Sequence, residues 1–161
     1  AKFPRVRFLF VGDGILRDEL RALARDVGVE DKVVFAGLVD PECIPEMIHA
    51  MDVVVHASLR EGLARVLPQA FLCGKPVISY DVDGAKEVVL DGKTGYLVPP
   101  ESVDELAEAI VKTLSNPVRA REMAEAGRAL VIERFDADTM VAQIDALYKR
   151  LLARRWSVVD G

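Results

Sequence analysis

The residues best placed to do chemistry cluster between positions 56 and 84: His56, Ser58, Glu61-Gly62, Arg65, Gln69 and the run Asp81-Val82-Asp83-Gly84. Glu61-Gly62 follows an apolar run and precedes a helical one. The free backbone N–H groups of this turn therefore fall at a helix N-terminus. Such groups, together with the positive end of the helix dipole, favour an anion such as phosphate. The carboxylate of Glu61 beside them suits sugar hydroxyls instead. Diphosphate and hydroxyls held side by side suggest a nucleotide sugar. Gln69 stands eight residues after Glu61, close to two helical turns. If the helix began at Glu61, both side chains would share a face. Glu61 is expected in the turn just before the helix, with a similar reach.

Other candidates carry two readings each. Gly12-Asp13-Gly14 lies between a strand and a helix, without a full GxGxxG pattern and without the Lys and Ser or Thr of a P-loop. It is either a tight turn or a stretch of backbone lining a cleft at the carboxyl ends of the strands, where open α/β sheets bind ligands. Arg65 points either at a diphosphate or at solvent. His56 is either a core or rim histidine or a catalytic one, and His49 is expected to be exposed. Asp81 to Gly84 touches ligand through its backbone or is a plain turn. No second acid forms a general acid/base pair with Glu61. No Ser/His/Asp or Cys/His order marks a nucleophile.

The bulk properties narrow the class. With 161 residues and 51% apolar content, the chain has enough material for one domain with its own core. A net charge of −5 without a basic stripe gives nucleic acid no electrostatic footing. The cluster Lys149-Arg150 and Arg154-Arg155 is read as a solvated helix face. No apolar run approaches the ~20 residues of a membrane span, and nothing resembles a leader. Cys43 and Cys73 have no metal-type spacing. Both are expected reduced and packed as small apolar residues, which points to the cytoplasm.

The elements that must position the candidates alternate between short apolar runs and amphipathic stretches, the pattern of a parallel sheet covered on both faces. Strands are expected at Arg5–Val11, Lys32–Ala36, Asp52–Ala57, Pro76–Tyr80 and Gly95–Val98, the third so apolar that it should be central. A first helix presents Leu16, Leu20, Leu23, Ala24 and Val27 on one face and ends at Gly28. Asp40 caps a second, with Pro41 in its first turn. A third runs from about Arg65 to Cys73. Ser102 with Glu105 forms a capping box for a helix to about Leu114. Asn116-Pro117 starts another, and Asp136 caps a last one with Met140, Ile144, Leu147, Leu151 and Leu152 on its apolar face.

Taken in order, FLFVGDG, VVFAGLV and DVVVHASLREGLARVLPQAFLCGKPVISYDVDGAKEVVLDGKTGYLVPP resemble the C-terminal half of retaining, family-4-type (group 1) glycosyltransferases of the GT-B fold. The resemblance runs from about Val6 to Phe135. It implies a Rossmann-like, doubly wound parallel sheet that binds the nucleotide sugar. A separate N-terminal half would bind the acceptor, and transfer would occur in the cleft between them without a metal. By resemblance, Glu61 is the catalytic carboxylate that hydrogen-bonds hydroxyls of the transferred sugar. Gln69 stands where the family's second glutamate holds the ribose, and so brings no charge. Gly12 and Gly14, the backbone of Gly62 to Val66, and the loop at Leu38-Val39 (Val39 against the base) would complete the donor site.

The family's first strand of this half, and the Arg and Lys that neutralise the diphosphate, have no counterpart before Ala1. The whole chain, 1–161, is therefore expected to be the donor-binding domain of a longer enzyme and to transfer no sugar alone. Any proximity to a membrane would come through the other half. In the family's strand order, 3-2-1-4-5-6, the lacking strand is a middle one. Either the strand at Arg5 pairs directly with that at Asp52, or another segment fills the place, including one swapped from a second copy. Rival readings are a non-catalytic nucleotide-sugar-binding module and an epimerase or phosphorylase of the same fold.

Overall fold

The computed structural model describes residues 3–156, with side chains to 153. The Arg154-Arg155 part of the basic cluster thus lies outside the described side chains. Strands and helices alternate through most of the chain: β1 (Phe8–Val11), α1 (Arg17–Asp26), β2 (Val33–Gly37), α2 (Ile44–His49), β3 (Val54–His56), α3 (Val66–Leu72), β4 (Val77–Tyr80), α4 (Ala85–Val88) and β5 (Gly95–Val98). Three longer helices follow, α5 (Val103–Ser115), α6 (Pro117–Arg134) and α7 (Ala137–Trp156).

Local chemistry sets many of these boundaries. Gly28 and Gly74 take left-handed φ values of 71° after α1 and α3. There the N–H of Val29 reaches the carbonyl of Ala24 at 2.8 Å, and that of Lys75 reaches Ala70 at 2.9 Å. This closes the orphan carbonyls of each last turn. Asn116 Oδ1 accepts from the Arg119 N–H at 3.1 Å and Asp136 Oδ2 from the Thr139 N–H at 2.9 Å, so both expected caps are present. Asp40 also caps, accepting from the Glu42 N–H at 3.0 Å, but what starts at Pro41 is a single 3₁₀ turn ahead of α2. The expected box at Ser102 closes only between side chains: its hydroxyl donates to Glu105 Oε1 at 3.2 Å and makes no bond to the helix backbone.

All strand pairs are parallel, but the sheet is in two pieces, β1–β2 and β3–β4–β5. Within the chain, β1 does not pair with β3, and no segment of the described residues lies hydrogen-bonded between them. The third strand is therefore an edge, with Val55 partly exposed, and β4, buried at each of its four residues, takes the central place instead. The same break leaves the predicted apolar face of α1 largely unburied. Leu16, Leu20, Leu23 and Val27 are all exposed, and only Ala24 is enclosed. A two-stranded sheet offers a helix too little surface to bury a full stripe.

The main core forms where β3 and β4 meet α3, α4 and α6. Leu67, Ala70 and Phe71 of α3 are fully buried there with Val77, Val88 and Val89. Burying a side chain such as Phe71 contributes about 1.5–3 kcal/mol. Gly127 of α6 lies flat against the Phe71 ring, where any Cβ would collide with it. A second cluster joins Ile78, Tyr80 and Val98 to Ala109 of α5. Helix α7 carries its expected apolar residues, Met140, Ile144, Leu147, Leu151 and Leu152, on an exposed face. The firm packing of α3 is what holds the candidate loop in front of it.

Candidate functional site

Strands β3 and β4 end side by side, and the loops leaving their carboxyl ends meet across an open groove of about 810 Å³. Its walls are Arg60, Glu61, Gly62 and Leu63 from the loop before α3, and Asp83, Gly84 and Glu87 from the turn into α4. This is the crevice position that open α/β sheets use for ligands. The two loops are tied together twice. The Glu61 N–H donates to Asp83 Oδ2 at 2.9 Å, and the Gly84 N–H donates to the Gly62 carbonyl at 2.9 Å.

Helix α3 starts at Val66, with Arg65 as its N-cap, so Glu61 precedes the helix as expected. No side chain caps this end. Among the described residues, no hydrogen bond is donated by the N–H groups of Gly62, Leu63, Ala64, Arg65 or Val66. Five successive free donors at a helix entry make a ready anion seat. Glu61, Gly62, Arg65 and Gln69 are exposed, whereas Ala64 is buried and offers only its backbone. Both Glu61 and Gln69 thus remain accessible, but only Glu61 lines this groove.

The Glu61 carboxylate also faces His56, whose Nε2 lies 3.9 Å from Glu61 Oε1. Burial holds the His56 pKa below its ordinary value of 6.5, against the opposing pull of Glu61. His56 is therefore neutral at neutral pH, and its buried Nδ1 has no hydrogen-bond partner among the described residues. A neutral imidazole leaves the Glu61 carboxylate free to accept from ligand hydroxyls rather than holding it in an ion pair.

Gly12, Gly14 and Val39 follow β1 and β2 in the chain. The Gly12 N–H is engaged by the Gly37 carbonyl at 2.8 Å, and the Gly14 N–H by Asp13 Oδ1 at 2.8 Å, while Arg17 bonds Asp13 Oδ2 at 3.2 Å. The N–H groups of the two glycines are therefore already engaged, and nothing would meet a Cβ at either glycine within 4 Å. Val39 is half-buried beside the exposed Leu38. Gly12, Gly14, Val39, Ala64, Arg65, Val66 and Gln69 lie outside the groove walls, which of the expected site residues include Glu61, Gly62 and Leu63. His49 is exposed, and its carbonyl accepts from Lys75 Nζ at 2.9 Å. Sequence reasoning missed the walls contributed by Arg60 and Glu87 and the tie from Asp83. The Asp83-Gly84 pair was a turn signal, but nothing local links it to Glu61.

No group of three or more His, Cys, Asp or Glu residues among those described is arranged to hold a metal ion. No described helix is long and apolar enough to cross a membrane.

The family described as glycosyl transferases group 1 matches residues 1–130. The alpha-D-kanosaminyltransferase of Streptomyces kanamyceticus is 30% identical over 145 residues, covering 90% of this chain and 38% of that protein. A GDP-mannose-dependent alpha-(1-6)-phosphatidylinositol monomannoside mannosyltransferase of Mycobacterium tuberculosis is 37% identical over 144 residues, covering 84% and 37%. Among solved structures, Anabaena HepE in complex with UDP-glucose superposes with a TM-score of 0.84 at 33% identity, covering 91% of this chain and 42% of that one. The chain spans about two fifths of the length of these relatives.

Proposed function

Because the chain belongs to the group 1 glycosyl transferases, whose pattern spans residues 1–130, we propose that it is the donor-binding half of an enzyme that moves a sugar from a nucleotide sugar to an acceptor hydroxyl with retention. Its fold is the Rossmann-like, doubly wound α/β half of the GT-B type, matched by HepE with a TM-score of 0.84. The observation that carries the proposal is the run of unengaged N–H groups from Gly62 to Val66 beside the accessible Glu61 carboxylate. The first seats the diphosphate; the second accepts from hydroxyls of the sugar. HepE was solved with UDP-glucose and the mycobacterial relative is named for GDP-mannose, which supports a uridine or guanosine diphosphate sugar as the donor class.

In this mechanism the acceptor hydroxyl attacks the anomeric carbon on the face from which the diphosphate departs. Charge building on the departing oxygens is met by the helix-entry N–H groups, fixed in place before reaction. The partner is an acceptor-binding half of the same enzyme, and the 161-residue chain alone transfers no sugar. Transfer is proposed to need no metal, so chelation leaves its rate unchanged. The unpaired edges of β1 and β3 keep a strand-swapped dimer among the proposed assemblies, tested by mass in solution. Two free cysteines suit a cytoplasmic location.

The experiment pairs this half with its acceptor-binding half and replaces Glu61 by Ala. Transfer should fall by about 100-fold, the scale of one lost group that stabilises a transition state. Unchanged transfer would favour the rival reading of a non-catalytic module, which the uncharged Gln69 at the ribose position supports. The stereochemistry of the product tests retention directly.

A further inference from the structure

We infer that Asp83 is the positioning residue that sets Glu61 for the sugar end of the donor, an inference that rests on the donor-site reading above. Asp83 is exposed and stands 22 residues from Glu61, yet its Oδ2 takes the Glu61 N–H at 2.9 Å. It does so from a left-handed backbone, φ 42°. For a residue other than glycine this conformation is disfavoured, although Asp tolerates it better than most. Strained backbone of this kind persists where the surroundings over-determine it. Here the surroundings are the groove itself, which both residues line.

The neighbouring residues reinforce the tie. The Gly84 N–H bonds the Gly62 carbonyl at 2.9 Å, and a Cβ on Gly84 would stand 2.5 Å from that same oxygen. The turn after β4 therefore presses directly on the loop before α3, and the Asp83 carboxylate locks the residue that bears the functional side chain. In the rest of that loop, the hydrogen bond from the Ser58 hydroxyl to the Arg60 carbonyl is long, at 3.5 Å. Asp83 takes the N–H immediately before the unengaged donors of Gly62 to Val66. Fixing Glu61 before the ligand arrives removes an ordering cost from sugar binding alone. Asp83 thereby acts through Glu61.

The test compares UDP-glucose with UDP, which differ only by the sugar, in titrations of the 161-residue chain followed by amide chemical shifts. Asp83→Gly removes the acceptor and suits the left-handed backbone, so its thermal stability should match or exceed that of the parent. Its affinity for UDP-glucose should nevertheless fall about tenfold relative to that for UDP, the scale of one lost charge-assisted hydrogen bond. Hydrogen exchange at the Glu61 amide should quicken by about tenfold. Asp83→Asn keeps an acceptor oxygen and should restore the parent's ratio to within about threefold. Equal losses for both ligands, an unchanged Glu61 exchange rate, or failure of Asp83→Asn to restore the ratio would overturn the role. A parent chain that binds neither ligand would overturn the donor-site reading and the role with it; a parent that binds both with the ratio of Asp83→Gly would overturn the role alone.

Discussion

The unit β1–α1–β2 and the unit β3–α3–β4–α4–β5 are built from similar alternating sequence, yet they differ sharply in burial. In the second, Phe71, Leu67 and Ile78 are fully enclosed; in the first, Phe8 and Phe10 stay 39% and 45% exposed. The phenylalanines of the first unit stack on one another, Phe10 on Phe35 at 5.2 Å between ring centres, with Arg21 over the Phe35 ring. Those contacts cover one face of a two-stranded sheet without enclosing it. The second unit gains its core from α6, whose Gly127 admits the Phe71 ring. Both loops that wall the groove hang from this well-packed unit, while the Gly12 turn and Val39 belong to the looser one. The half of the site proposed to face sugar and phosphate is therefore well held, and the half read as facing the base is more weakly held.

This contrast breaks most visibly under core truncation. Phe71→Ala should cost about 3–5 kcal/mol, as for other buried phenylalanines. Phe10→Ala, half exposed, should cost about 1 kcal/mol, from the smaller apolar area it loses. Chemical denaturation measures both, and equal costs would mean that the first unit is as well enclosed as the second.

Glycine replacements give a smaller effect with the same asymmetry. Gly84→Ala forces a Cβ onto the Gly62 carbonyl and should lose about 1–3 kcal/mol. Gly14→Ala meets nothing within 4 Å and should stay within about 0.5 kcal/mol of the parent. Native-state hydrogen exchange sharpens the comparison further: amides of β1 and β2 should exchange ahead of those of β4, whose residues are all buried. Simultaneous exchange would indicate one cooperative block.

The smallest effect is electrostatic. Folding holds the His56 pKa below 6.5, because burial disfavours the imidazolium. The unfolded chain therefore takes up this proton first as pH falls. The stability contributed by neutral His56 is present above pH 6.5 and is lost as pH drops from there through the lower folded value. His56→Gln should flatten the change in melting temperature between pH 7.5 and 5; an unaltered slope would show that His56 is not its source.

Much of this was legible in the sequence, for reasons that are local. Gly95–Val98 is a strand as expected, and Asn116 and Asp136 cap the helices they announce, because a cap depends on residues three apart. The break in the sheet was not legible as such. Parallel pairing is settled by distant partners, so the apolar run at Asp52–Ala57 looked central and proved an edge. Helix α4 escaped notice because four residues carry no period. At the site, Glu61 and the free N–H groups after it follow from strand, turn and helix signals. The Asp83 tie spans 22 residues and leaves no local trace.

The central claim is that the Glu61 loop seats an activated sugar. Mapping amide shifts of the chain during titration with UDP-glucose tests it most directly. The account predicts shifts concentrated at Glu61 to Val66 and at Gly84, with the sugar-dependent part abolished by Glu61→Ala. Shifts confined to other faces, or a response to the sugar that Glu61→Ala leaves intact, would contradict it.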